Sequence, residues 1–430
     1  MPDPSERLPP RTLPVVYVAC AHVALMIAFL LVALEPSRFM GFFYHHRMVA
    51  AVHLVTLGWI TGTTLGMSYV AGPLALRMTM RAGAWDALAC GLFLVGSSGI
   101  ITHFWWDEYG AVAWAGAILA PALVIVAVRI VRGLAAAGAP LPVRLHVGFA
   151  YGNLLLAAAL AIHLALRKSA TGAVPLPHVY AHVHLAAAGW ATLMVMGVGY
   201  RLLAMLFPAA PPRDRPVWAS LVLFETGLLG LAGALMADRS PGPFAVLLAA
   251  GLLVFLGTVV RMRRHPRPAP VKLRRPDFGV LHVAAALLCL AAAAGIGLFL
   301  AFSPDREPGA VMVYGVLGLV GFLSQMILGV EMRLLPMFAF TEAFGRSGHA
   351  ALPPSPHDMP SRPLQAFSLV AWAAGVPLLA WGLSQKVGEL EGEWAVRAGG
   401  AALLAGTVAA ALSTARVLRL AYRTPRPSVR

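Results

Sequence analysis

Fourteen histidines punctuate the 430-residue chain, and His53, His182 and His184 are among those that fall inside long apolar runs. Imidazole is costly to leave unpaired in hydrocarbon, yet its free nitrogen is a good axial ligand for haem iron and a good ligand for copper. An ionisable side chain well inside an apolar run is a functional residue by default. His178 and His182 stand four residues apart and share one helix face, which makes the pair a candidate metal site. His182 and His184 are separated by about 200° around a helix and must face different neighbours, so one helix can serve two sites. His45, His46, His103 and His163 sit near the ends of apolar runs, where capping or interfacial water accounts for them. Glu225, in Phe224-Glu225-Thr226, is the one acid near the middle of an apolar run. A carboxyl there must be protonated or paired, which suits a proton relay or a helix-to-helix hydrogen bond.

These residues need a membrane scaffold to hold them. The chain is 59% apolar and 12% charged, with a mean hydropathy of +0.76. A spanning helix needs about 20 apolar residues, so the composition furnishes roughly twelve spans with little left over. It excludes a soluble enzyme, a secreted disulfide scaffold and a disordered chain. Cys20, Cys90 and Cys289 are isolated within apolar segments, and no Cys-x-x-Cys-His sequence attaches a c-type haem. With Pro, Gly and charge clusters as punctuation, the sequence predicts helices over 13–34, 46–70, 83–103, 110–131, 143–166, 178–206, 216–236, 243–261, 278–302, 310–335, 364–384 and 394–420. The first run carries no small-residue cleavage signature and is read as a retained helix. The stretch from Thr341 to Pro363, which holds His349 and His357, reads as a flexible loop.

The net charge of +15 lies between the spans. The tails, the loops on their side and the adjoining helix ends hold 25 of the 33 Lys and Arg residues, with Arg261 to Arg275 the richest stretch. By the positive-inside rule both termini are cytoplasmic. The basic charge then serves topology and contact with anionic membrane lipid, and no nucleic-acid partner is expected.

The chain also repeats itself. Val52-His53-Leu54 with Gly58-Trp59, Gly66 and Tyr69 is echoed 131 residues later by Val183-His184-Leu185 with Gly189-Trp190, Gly197 and Tyr200. A further step of 132 carries Gly189, Gly197, Arg201 and Leu202 onto Gly321, Gly329, Arg333 and Leu334, while the His becomes Val316. The span before each copy has its own histidine, His22, His146 and His282, for which a bond to a neighbouring helix suffices. Glu331, Arg333 and Arg201 read as interfacial charges at helix ends. The expectation is one all-α membrane domain, 1–430, of twelve transmembrane helices in three pseudo-repeats of four, 1–140, 141–275 and 276–430. Repeats of this kind also mark transporters.

His182-Val183-His184 followed by Gly189-Trp190 resembles the His-x-His helix of the catalytic subunit of haem–copper oxidases and nitric oxide reductases. The stretches from His53 through Gly66 to Pro73 and from His184 through Gly197 to Arg201 are similar to conserved helices of the NnrS family, membrane proteins related to that subunit. The resemblance implies an oxidase subunit I-like bundle in a bacterial inner membrane, binding b-type haem and, in addition, copper, in respiratory or nitric-oxide-linked redox metabolism. It carries His53 and His184 over as haem ligands, and His182 joins them if they serve different haems. It also implies cytochrome or other respiratory subunits as partners. The oxidases place their His-x-His pair in the tenth span, where this chain has Val316, and a His-His pair in the seventh, where it has Phe224-Glu225-Thr226. A complete oxygen-reducing centre is not expected. Two further readings stay open: a transporter or metal-trafficking protein, and a non-catalytic subunit of a respiratory complex.

Overall fold

The computed structural model describes residues 9, 11–268, 276–303, 307–348 and 352–423. His349, the basic residues from Lys272 to Arg275 and the arginines at 426 and 430 lie outside the described residues. Twelve helices are long and apolar enough to cross a membrane: α1 (Thr12–Leu34), α2 (His46–Leu76), α3 (Ala84–Trp105), α4 (Tyr109–Ala135), α5 (Leu141–Thr171), α6 (Leu176–Leu206), α7 (Asp214–Met236), α8 (Gly242–Arg264), α9 (Phe278–Phe302), α10 (Pro308–Arg346), α11 (Arg362–Ser384) and α12 (Leu390–Tyr422). The chain is therefore an all-helical, multi-pass membrane protein. In hydrocarbon a helix lets each backbone N–H and C=O find its partner within one segment, which is why no other element is needed.

The spans fall within a few residues of the expected bounds except at α10. There the loop expected from Thr341 is helix as far as Arg346. Residues 341–346 contain no proline, the Arg346 and Glu342 side chains pair at 3.0 Å one turn apart, and the helix stops only where Gly348 takes a φ of +61°. Arg11 and Arg346 both lie over the Tyr422 ring, at 3.8 and 4.9 Å, which ties both ends of the chain to one face.

Nine helices form a closed ring in the order α1, α3, α4, α5, α7, α8, α9, α11, α12 and back to α1, and α2, α6 and α10 pack against one another inside it. The inner three are the most enclosed, with 67, 78 and 56% of their apolar windows buried. Small residues permit the approach. A Cβ on Gly66 would lie 2.5 Å from the Cβ of Tyr17 on α1, and one on Gly197 would lie 2.6 Å from the Cβ of His146 on α5. Gly329 meets the carbonyl of Gly279 on α9 at 2.6 Å in the same way. One turn or two outward, Gly58, Gly189 and Gly321 seat Ala24, Asn153 and Cys289 of the same three outer helices. Close backbone approach is what membrane helices use in place of a hydrophobic drive to associate.

Each inner helix also widens into a π-helical stretch: Leu54–Thr61 in α2, Leu185–Thr192 in α6 and Val316–Ser324 in α10, each beginning 131 residues after the last. A π turn displaces backbone carbonyls, and side-chain hydroxyls satisfy them: Thr192 Oγ1 donates to the Ala187 carbonyl at 2.9 Å and Ser324 Oγ to that of Leu319 at 2.8 Å. Trp59, Trp190 and Phe322 occupy the matching position in each stretch and are sealed in the core. The tryptophans thus pack the helix crossings.

Gly66→Ala and Gly197→Ala should each lower the thermal unfolding midpoint in detergent, by an overpacking cost of about 1–3 kcal/mol. Gly148→Ala, where a Cβ meets nothing within 4 Å, should not lower it. An equal response at all three positions would contradict the assigned crossings.

Candidate functional site

His53 and His184 are the last residues before the π stretches of α2 and α6, so the widened turns set the direction in which each ring leaves its helix. His53 Nδ1 donates to the Val49 carbonyl at 2.7 Å, and His184 Nδ1 donates to that of Tyr180 at 2.8 Å. His182 Nδ1 donates across to the Ala157 carbonyl of α5 at 3.0 Å. A carbonyl only accepts, so in each neutral ring the proton is fixed on Nδ1 and the lone pair is left on Nε2. This is the arrangement by which proteins orient a metal-ligating imidazole.

The free nitrogens do not all face one space. His53 on α2 and His182 on α6 are close enough to interact electrostatically, and the Phe104 ring at the end of α3 lies 4.8 Å from the His53 ring. Among the described residues neither Nε2 of this pair makes a hydrogen bond, and both side chains keep accessible surface inside the bundle. His184 turns instead to α10, where its Nε2 accepts a 3.3 Å hydrogen bond from the Tyr314 hydroxyl and the two rings stack.

The 131- and 132-residue steps explain the division. They align His53, His184 and Val316 with one another, and Ala51, His182 and Tyr314 with one another. Each junction between neighbouring inner helices draws one residue from the first set and one from the second. The α2–α6 junction receives His53 with His182, the α6–α10 junction receives His184 with Tyr314, and the α10–α2 junction has only Val316 and Ala51 for the same places.

The outer ends of α2 and α6 are braced. His46 Nδ1 hydrogen-bonds the carbonyls of Phe104 and Trp105 at 3.3 and 3.2 Å, and Phe43 stacks on Tyr180 with ring centroids 5.7 Å apart. Partial desolvation, helped by the charges of His46 and Arg47, pushes His45 below the usual imidazole range. His178 bonds the Met236 carbonyl of α7 through Nε2 at 3.2 Å, whereas His182 bonds α5, so the helix-face pair addresses two different neighbours. No three His, Cys, Asp or Glu side chains among the described residues are placed to hold a metal ion.

Glu225 on α7 faces the bundle. The Asn153 amide of α5 lies 3.1 and 3.2 Å from its two carboxyl oxygens and also donates to the Gly189 carbonyl within the α6 π stretch, at 3.3 Å. Asn153 thus joins three helices about one turn from the Ala157 carbonyl that holds His182, a bridging role that the sequence reading did not assign to it. In the other half of the bundle, His146 Nε2 meets Ser220 at 3.3 Å, while both ring nitrogens of His282 are buried without a partner.

Glu331 differs from the sequence expectation of an interfacial charge. It is only 3% exposed, enclosed by His22 of α1 and Thr414 of α12. Arg333 is interfacial as expected, paired with Asp277 at 3.2 Å.

By donor type His53 and His182 fit a haem: two imidazoles with Nδ1 committed to a backbone carbonyl and Nε2 without a hydrogen bond among the described residues. Comparison with protein-family models and with curated proteins finds no match.

Asn153→Leu should destabilise the protein by about 1–3 kcal/mol, since it strips a partly buried carboxyl of its donor. Adding Glu225→Leu should recover much of the loss, and thermal melts of the two single variants and the double variant measure the coupling.

Proposed function

We propose that this chain is a haem-binding protein of a bacterial inner membrane, acting in respiratory or nitric-oxide-linked redox metabolism, in which His53 and His182 would hold a b-type haem between α2 and α6. One observation supports the reading: two intramembrane imidazoles on adjacent inner helices, His53 and His182, each have Nδ1 held by a backbone carbonyl, and among the described residues neither Nε2 makes a hydrogen bond. A haem held there supplies a one-electron couple. The chain's own residues orient the imidazoles, place Phe104 against His53 and close the space with apolar helix faces. His184 with Tyr314 forms a second, unlike position, and copper, if taken up, needs a donor beyond His178 and His182. Glu225, held by Asn153, is assigned proton exchange for the haem half of the bundle.

The closed ring of nine around three, the matching π stretches and the matching glycine contacts support three four-helix units and an oxidase subunit I-like plan. The basic asymmetry supports cytoplasmic termini. Membrane lipid is the immediate partner, and a cytochrome or another respiratory subunit is the proposed source of electrons. A second reading, transport through the bundle, is favoured by a cavity of about 110 Å³ between α2, α6 and α10, lined by Met67, Met194, Met326 and Glu331.

Reduced-minus-oxidised spectra of the purified protein test the assignment. His53→Ala and His182→Ala should each abolish or shift the Soret and alpha bands, and His282→Ala should leave them unchanged. His184→Ala should retain the two-imidazole bands. Loss of those bands in His184→Ala but not in His182→Ala would move the site to the pair His53 and His184, and unaltered bands in all variants would favour transport.

A further inference from the structure

We propose that His22 on α1 and Glu331 on α10 form a buried proton-binding dyad in the half of the bundle that holds the chain ends, separate from the histidines of the other half. His22 Nδ1 donates to the Val18 carbonyl at 2.9 Å, so the neutral ring turns a lone pair, Nε2, towards Glu331. Glu331 Oε1 stands 3.6 Å from that nitrogen and accepts a 2.8 Å hydrogen bond from Thr414 Oγ1 of α12. His22 Nε2 and Glu331 Oε2 are both buried without a hydrogen-bond partner. The side chains are 4 and 3% exposed. A lone pair facing a carboxylate oxygen away from water is repulsive, and one proton resolves it, as imidazolium beside carboxylate or as carboxylic acid beside neutral imidazole. The dyad therefore holds one proton whichever of its two groups carries it.

Its position gives that proton a route. Glu331 lines the central cavity on one side and, on the other, a pocket of about 10 Å³ that also touches Gln365, Ser413 and Thr414, room for about one water. Among the described residues no other ionisable group lines either space. Around the dyad, α2 presents the Trp59 ring, edge-on to His22 with centroids 5.0 Å apart. From α12 comes the uncharged Thr414, and from α11 the uncharged Gln365. The nearby cations are committed elsewhere: Arg333 to Asp277, and Arg416 to the Met359 carbonyl at 3.1 Å. A proton entering the small pocket binds Glu331 Oε2 or passes to His22 Nε2, and leaves either way it came or into the cavity; no electron moves and no covalent bond to carbon changes. Such a group supplies a compensating positive charge when an electron or an anion enters the membrane interior. The proposal stands whether or not a haem binds.

Infrared difference spectra of the full-length protein in lipid nanodiscs, recorded across a pH titration, test it. Imidazole and carboxyl bands of the wild type should change together. Glu331→Gln should remove the carboxyl change, Thr414→Val should shift its frequency by removing the donor, and His22→Gln should uncouple it from the imidazole bands. Glu225→Gln should leave this signal in place. A titrating carboxyl signal that survives Glu331→Gln, or one unmoved by both Thr414→Val and His22→Gln, would overturn the dyad. If Glu331→Gln does not fold, the shift in Thr414→Val decides. Haem bands unchanged in these variants, alongside a lost proton signal, separate this result from the haem assignment.

Discussion

A neutral imidazole inside a bilayer can donate from one nitrogen only, and the bond that fixes the donor decides what the other nitrogen can do. In this chain the choice is made repeatedly by backbone carbonyls: Val49 for His53, Ala157 for His182, Tyr180 for His184, Val18 for His22 and Pro142 for His146. Most of these carbonyls lie one turn back on the same helix and stay available to a side chain of the right reach. Each bond removes one desolvation penalty and aims a lone pair at a neighbouring helix. What that lone pair meets then differs: a tyrosine hydroxyl at His184, a serine at His146 and a carboxyl at His22, while among the described residues Nε2 of His53 and of His182 makes no hydrogen bond.

The aim depends on how the three inner helices are packed. Gly66, Gly197 and Gly329 bring α1, α5 and α9 against them so closely that a methyl group would collide, and the π stretches redirect the residues just before them. The three π stretches and the three glycine contacts match, but the side chains beside them do not. The sequence steps align His53, His184 and Val316, and of these His184 forms an imidazole–phenol pair with Tyr314 of α10.

Much of this was legible in the chain. Hydropathy and turn residues located the spans because membrane thickness fixes their length, and the step of 131 identified His53 and His184 as equivalents. Equivalence in sequence did not show which neighbour each ring addresses: His184 Nε2 meets Tyr314 of α10, and His182 Nδ1 meets the Ala157 carbonyl of α5. Only the placement of α6 beside α5 and α10 reveals that. Glu331 was misjudged because depth was counted from an assumed helix end near residue 335. It is buried because His22 of α1 and Thr414 of α12 close over it, contacts that its place along α10 does not disclose. Asn153 gave no signal at all, since its importance lies in a carbonyl displaced by a π turn on another helix.

The account turns on whether two imidazoles reach one iron between α2 and α6. Electron paramagnetic resonance of the oxidised wild-type protein, purified from membranes together with whatever cofactor it holds, addresses that most directly. The predicted result is a low-spin ferric haem signal with two axial imidazoles. A protein that carries no haem, or one whose haem is entirely high-spin with a single histidine ligand, would contradict it.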